Sequence, residues 1–238
     1  MNSEIIALVI TAAALGFLHT LAGPDHYLPF IVMAKARNWS NFKTLWITTL
    51  CGVGHVGSSI IIGAIGIIFG LAVAKIEIFE GYRGSIVAWL FILFGFVYFL
   101  WGIWRGIKNK THKHIHVHNE TGAHIHVHEH EHGHDHSHKK EENQINLTPW
   151  ILFTIFVFGP CEPLIPLLMY PASEQSTSGT VIVAVVFSVV TISTMLVMVF
   201  LPLFGLKLLP MKFLHRYMHA IAGATILICG ISIEFLGL

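Results

Sequence analysis

Charge is what this chain has least of. Asp, Glu, Lys and Arg make up 11% of its 238 residues, where a soluble domain carries about 25%. Hydrophobic residues make up 54%, and the mean hydropathy is +0.70. That balance excludes an ordinary soluble domain, and no basic surface suited to nucleic acid stands out. Cysteine is also scarce. Cys51, Cys161 and Cys229 all fall inside apolar segments, and an odd count without loop cysteines excludes a disulfide framework. The opening Met-Asn-Ser-Glu has no basic region, and no small-residue cleavage site follows. The first apolar segment is therefore expected to be a retained helix and not a secretory signal. No phosphate-binding loop and no serine or cysteine triad occurs, so neither nucleotide-driven work nor an enzyme is expected.

What the chain does have is long apolar runs. A bilayer core takes about 20 apolar residues per helix, and on that ruler the sequence predicts spans at 5–34, 42–73, 84–105, 148–170, 178–203 and 208–236. The first is too long for one straight helix. Gly23-Pro24 interrupts it, and a proline there removes a backbone donor and forces a kink or an unwound stretch. Such a break is tolerated at membrane depth only where it faces protein or a wet cavity. Of the Lys and Arg residues in the connections, twelve fall on one side and two, Lys75 and Arg83, on the other. The basic side is read as cytoplasmic, which puts this protein in the cell (inner) membrane with both termini outside and the central loop inside.

That loop divides the chain into 1–106, 107–147 and 148–238. It carries twelve of the seventeen histidines: His112, His114, His116, His118, His124, His126, His128, His130, His132, His134, His136 and His138. The unit HIHVH occurs twice, at 114–118 and 124–128. Low hydrophobicity and alternating His predict a disordered tract. Imidazoles titrating near 6.5 are ligand-competent at neutral pH, so the tract is read as metal-gathering.

The two outer segments match each other. Gly23-Pro24-Asp25-His26 lies over Gly159-Pro160-Cys161-Glu162, and each is followed by Leu and a second proline, Pro29 or Pro166. Gly95 and Gly102 are matched to Gly230 and Gly237. Three helices per half is an odd number, so the second half must enter from the opposite face. The expected fold is all-α: six transmembrane helices as a 3+3 inverted repeat, with the first and fourth helices broken where they meet near the midplane.

The residues able to carry chemistry gather at these breaks. His19 and His26 are seven apart and share a helical face. Asp25 either ligates with His26 or orients it as an acceptor. A carboxylate within a span costs roughly 2.5–3.5 kcal/mol, which argues for a cation. His55, in CGVGHVGSS, is a third imidazole candidate, set among small residues that allow close helix approach. Glu162 is the partner of Asp25 across the repeat. Cys161 is either a ligand or a small buried filler. Ser58, Ser59, Thr191, Ser193 and Thr194 are candidates to line a path. His215 and His219 form an i, i+4 pair near a headgroup region, and Glu234 is expected to be solvated.

His19, Asp25 and His26, spaced H-x5-D-H, resemble the H-x4-D-H element of the nickel/cobalt transporter family and its relatives, the urease-accessory nickel transporters and the nickel/cobalt efflux proteins. Gly54-His55 with Ser58-Ser59 is similar to that family's second motif, and the His-rich loop is similar to the efflux branch. The resemblance implies that His19, Asp25, His26 and His55 bind a transported ion. The expected function is a secondary transporter of divalent transition metals, Ni2+ or Co2+ before Zn2+ or Cu, with efflux ahead of uptake. No cofactor is expected. Partners are the metal, the lipid bilayer, and either a second copy or a cytoplasmic metallochaperone. GPCEP also resembles the transmembrane thiol–disulfide carriers of cytochrome c biogenesis, which is the alternative reading.

Overall fold

A computed structural model of the chain describes residues 3–108, 112–118, 122–128, 147–173, 176–205 and 215–237. The helices are α1 (Ser3–Ala22), α2 (Leu28–Ala36), α3 (Asn41–Ile68), α4 (Val73–Lys108), α5 (Leu147–Phe158), α6 (Leu164–Ser173), α7 (Thr177–Gly205) and α8 (Met218–Leu236). Short 3₁₀ turns at Pro24–His26 and His215–Tyr217 precede α2 and α8. Five of the described helices, α1, α3, α4, α7 and α8, are long and apolar enough to cross a membrane. Large apolar side chains such as Ile10, Ile61, Leu93, Val189 and Ile228 are more than half exposed. A surface of this kind suits lipid and would be an aggregation hazard in water.

Both expected breaks are present. The backbone at Gly23 still donates to His19 O, but Pro24 has no N–H, and the chain turns through 3₁₀ geometry before α2 starts. In the second half the helix stops at Phe158 and restarts at Leu164, with Pro160 and Pro163 between. Neither α5 nor α6 is of membrane length alone.

α4 and α8 run antiparallel in close contact. Gly95 faces the backbone of Leu227 and Gly223, and Gly102 that of His219 and Ala220. Gly223 in turn faces Phe99, and Gly230 faces Ile92 and Ala88. A methyl group at any of these four would run into main chain, so the helices approach only because the side chains are missing. The packed pair on α8 is thus Gly223 and Gly230, while Gly237, matched to Gly102 in the sequence, takes no part in it. Gly237 lies past the helix end as a left-handed cap, φ 65°, with open space where a side chain would go. Elsewhere α1 packs on α7 and α3 on α5, with α3 also against α7.

Two expectations are corrected. α4 starts at Val73, eleven residues before the predicted span at 84, because its first turns place Lys75 and Glu77 outward while Glu80 and Arg83 satisfy each other inside. The His-rich tract, expected to be wholly disordered, contains an antiparallel hairpin of β1 (His112–His118) and β2 (Gly122–His128). Its register sets His112 opposite His128, His114 opposite His126 and His116 opposite His124. Ile115, Val117, Ile125 and Val127 put β-branched residues at every second position, a pattern that favours a strand. His130, His132, His134, His136 and His138 lie outside the described residues, as do Lys207 and Lys212.

Candidate metal centre

The end of α1 brings in His19, the turn after it His26, and the middle of α3 His55. Their rings converge, with centroids 4.8 Å apart for His19–His26, 5.0 Å for His26–His55 and 6.3 Å for His19–His55. One ligand atom from each lies within 4.8 Å of the others. His26 and His55 are 3% exposed.

Local bonds fix how His26 points. Its Nδ1 is 3.1 Å from Gly23 O and 3.2 Å from Asp25 Oδ1. A carbonyl can only accept, so Nδ1 carries the hydrogen and Nε2 is left as a lone-pair donor. That atom faces His55 Nε2 at 3.4 Å. Two imidazole nitrogens bound at about 2.1 Å to one tetrahedral ion sit roughly 3.4 Å apart, so this spacing is one a cation would accept without rearrangement. His19 Nε2 is buried and unpartnered, as is His55 Nδ1, and a buried polar atom without a partner is costly unless something else meets it. Asp25 stands behind His26 as its acceptor.

The cluster forms the floor of a cavity of about 410 Å³. Asp25, Phe91, Phe156, Pro160, Glu162 and Glu234 line it with the three imidazoles. On α4 the lining runs only from Gly81 to Phe91, and on α8 only from Ile233 to Gly237. The α4 residues that line the cavity thus lie toward the Val73 end of that helix. Phe91 and Phe156 of this lining pack with the buried Phe30, with Phe30–Phe156 at 4.7 Å and Phe91–Phe156 at 6.1 Å. Beyond them Tyr98 Oη is hydrogen-bonded with His219 Nδ1 at 2.8 Å and accepts from Arg37 Nε at 3.1 Å.

Of the residues singled out from the sequence, His19, His26 and His55 come together and Asp25 adjoins them. Glu162 is an exposed residue on the wall of the same cavity. Cys161 is fully buried among Ala12, Val56, Leu164 and Phe187 and does not line the cavity. The three imidazoles all come from the first half, and the second half supplies wall. Thr194 bonds its own helix at Val190 O. Glu234, expected to be solvated, is half-buried and accepts from Ser85 Oγ and Trp89 Nε1, because the antiparallel packing of α4 and α8 sets the start of the predicted span against the end of α8.

Two buried residues were missed. Arg83, counted as a loop charge, and Glu80 form an ion pair with Nη1–Oε1 at 2.5 Å. Arg83 also donates to Phe158 O at 2.8 Å, Gly159 O at 2.5 Å, Ser58 Oγ at 3.0 Å and Ser59 Oγ at 3.1 Å. The available signal was their i, i+3 spacing, which lets opposite charges meet on one helix face.

No family model matches this chain, and no match is found among curated proteins or solved structures. The class therefore rests on fold and site: among the described residues, five membrane-length helices and a largely buried three-imidazole cluster at a helix break.

Proposed function

We propose that this protein is a six-span secondary transporter of divalent transition-metal cations, Ni2+ or Co2+ first, working in the direction of export. The observation that carries the reading is the convergence of His19, His26 and His55 at the α1 break. Imidazole suits borderline ions of this kind, and the order of affinities alone does not select one. The motif resemblance ranks nickel and cobalt first. The metal is cargo, and no resident cofactor is proposed.

On this reading α5 and α6 together make the sixth span, and the halves form a 3+3 inverted repeat. Reciprocal packing supports it. The third helix of each half meets the other, and the first helix of each half meets the second of the other: α1 on α7, α5 on α3. A cavity with the imidazoles in its lining, closed in part by Phe91 and Phe156 with Phe30 packed against Phe156, fits a fixed site of the kind alternating access requires. Export is favoured by a histidine-rich hairpin on the strongly basic, cytoplasmic side, where it would collect ions. The thiol-carrier alternative has no support in the cavity, whose described lining contains no cysteine.

The test is metal content of cells with and without the protein across Ni, Co, Zn, Cu and Fe, paired with uptake into proteoliposomes. Lower cellular Ni or Co and movement into vesicles is the expected result. Binding without movement of any of the five would leave a sensor, and the proposal would fail.

A further inference from the structure

We infer that Arg83 is a positioning residue for His55, an inference that rests on the metal-site reading above. Two routes lead from its guanidinium to that imidazole. In the first, Arg83 Nη2 donates to Ser58 Oγ, and the Ser58 hydroxyl donates to the carbonyl of His55 itself at 2.8 Å. In the second, Arg83 holds Gly159 O and Phe158 O, the carbonyls left without helical partners where α5 ends. Gly159 is the surface on which the His55 ring rests, since a Cβ at that position would stand 3.0 Å from His55 Nδ1. Phe156, in the last turn of α5, flanks the same ring, with centroids 6.3 Å apart.

The second break thus contributes to the site through a cation of its own. At the first break a freed carbonyl, Gly23 O, is met by His26. At the second, the equivalent Gly159 O is met by Arg83. The guanidinium is neutralised by Glu80, so it fixes the α5 end against α3 without adding net positive charge beside a cation site. Only a planar fork with five donors reaches carbonyls, hydroxyls and carboxylate at once; an ammonium has three donors and no fork.

The experiment uses the full chain purified in detergent and titrated with Co2+. Signal from the core site is the difference between each protein and the triple variant His19→Ala, His26→Ala, His55→Ala, which keeps the same histidine-rich segment. Arg83→Lys retains the charge and the pairing with Glu80. It is expected to weaken core-site Co2+ binding about 10–100-fold, as outer partners of metal-bound histidines do, and to alter the Co2+ absorption band. In a His55→Ala background the same substitution should cause no further loss. Ser58→Ala, which removes one route and leaves Glu80 paired, should show the same dependence on His55 with a smaller loss. Equal losses with and without His55 would make Arg83 a general support of the fold and overturn the inference, as would full affinity in Arg83→Lys. A core-site signal of zero in the unsubstituted protein would instead remove the metal site itself.

Discussion

Asp25→Asn separates a functional carboxylate from a structural one. Asp25 is mostly buried, its side chain 17% exposed, and its Oδ1 accepts from His26 Nδ1 at 3.2 Å. A carboxylate within a span costs roughly 2.5–3.5 kcal/mol, and a charged hydrogen bond returns about 1.5–3 kcal/mol. Removing the charge should therefore leave the metal-free protein as stable as before or better, by about 0–2 kcal/mol on those same figures. The metal-bound state should suffer. An amide oxygen is a weaker, uncharged acceptor, so His26 Nδ1–H keeps Gly23 O but loses the charged partner that orients the ring and makes Nε2 a better donor to the metal. Loss of such an orienting acceptor typically costs 10–100-fold in metal affinity, or about 1.4–2.8 kcal/mol. The assay is Co2+ titration, again against the triple-alanine variant, together with thermal melting with and without Co2+. Expected is an unchanged or raised melting point without metal and a smaller rise on adding it. Full retention of core-site affinity would refute the reasoning. So would destabilisation of the metal-free protein equal to that of the bound form, because Asp25 would then be a structural anchor.

Two further outcomes follow from the placement of other residues. Cys161→Ser should leave metal movement in proteoliposomes within a few-fold of the unsubstituted protein, since Cys161 is buried in the apolar cluster with Val56 and Leu164 and does not line the cavity; abolition of activity would revive the thiol carrier. Deleting residues 112–138 should keep transport but raise the metal concentration needed for half-maximal rate, measured as Ni2+ or Co2+ flux, whereas complete loss would place the hairpin in the pathway.

The breaks at Gly23-Pro24 and Gly159-Pro160 were legible because proline leaves no alternative: a missing donor and a ring clash end a helix in any context. The membrane-length apolar helices and the gathering of His19, Asp25, His26 and His55 were legible for a related reason. Polar groups are so costly in lipid that each one in a span is conspicuous. The hairpin within the histidine tract was legible too, in the alternation of Ile115, Val117, Ile125 and Val127, but composition outweighed periodicity in the reading.

Arg83 and Glu80 were not legible. A hydropathy ruler treats every charge as a reason to leave the membrane; the i, i+3 spacing allows the two to pair, but that the pair is buried depends on Ser58, Ser59, Phe158 and Gly159, which only the packing brings to it. The same holds for Glu234, whose partners Ser85 and Trp89 come from a neighbouring helix, and for the glycines, where Gly223 and not Gly237 is the close contact.

From the linear chain alone came the quantities that are properties of segments: apolar length, helix breaks, the count of imidazoles and the spacing between them. Which of those groups face one another was left to the packing. His26 and His55 are 29 residues apart and meet at 3.4 Å, while Cys161, adjacent to Glu162, turns into an apolar pocket. Neighbours in sequence part company at a helix break because each residue there takes its own backbone direction, and only the surrounding helices determine which direction leads to the cavity.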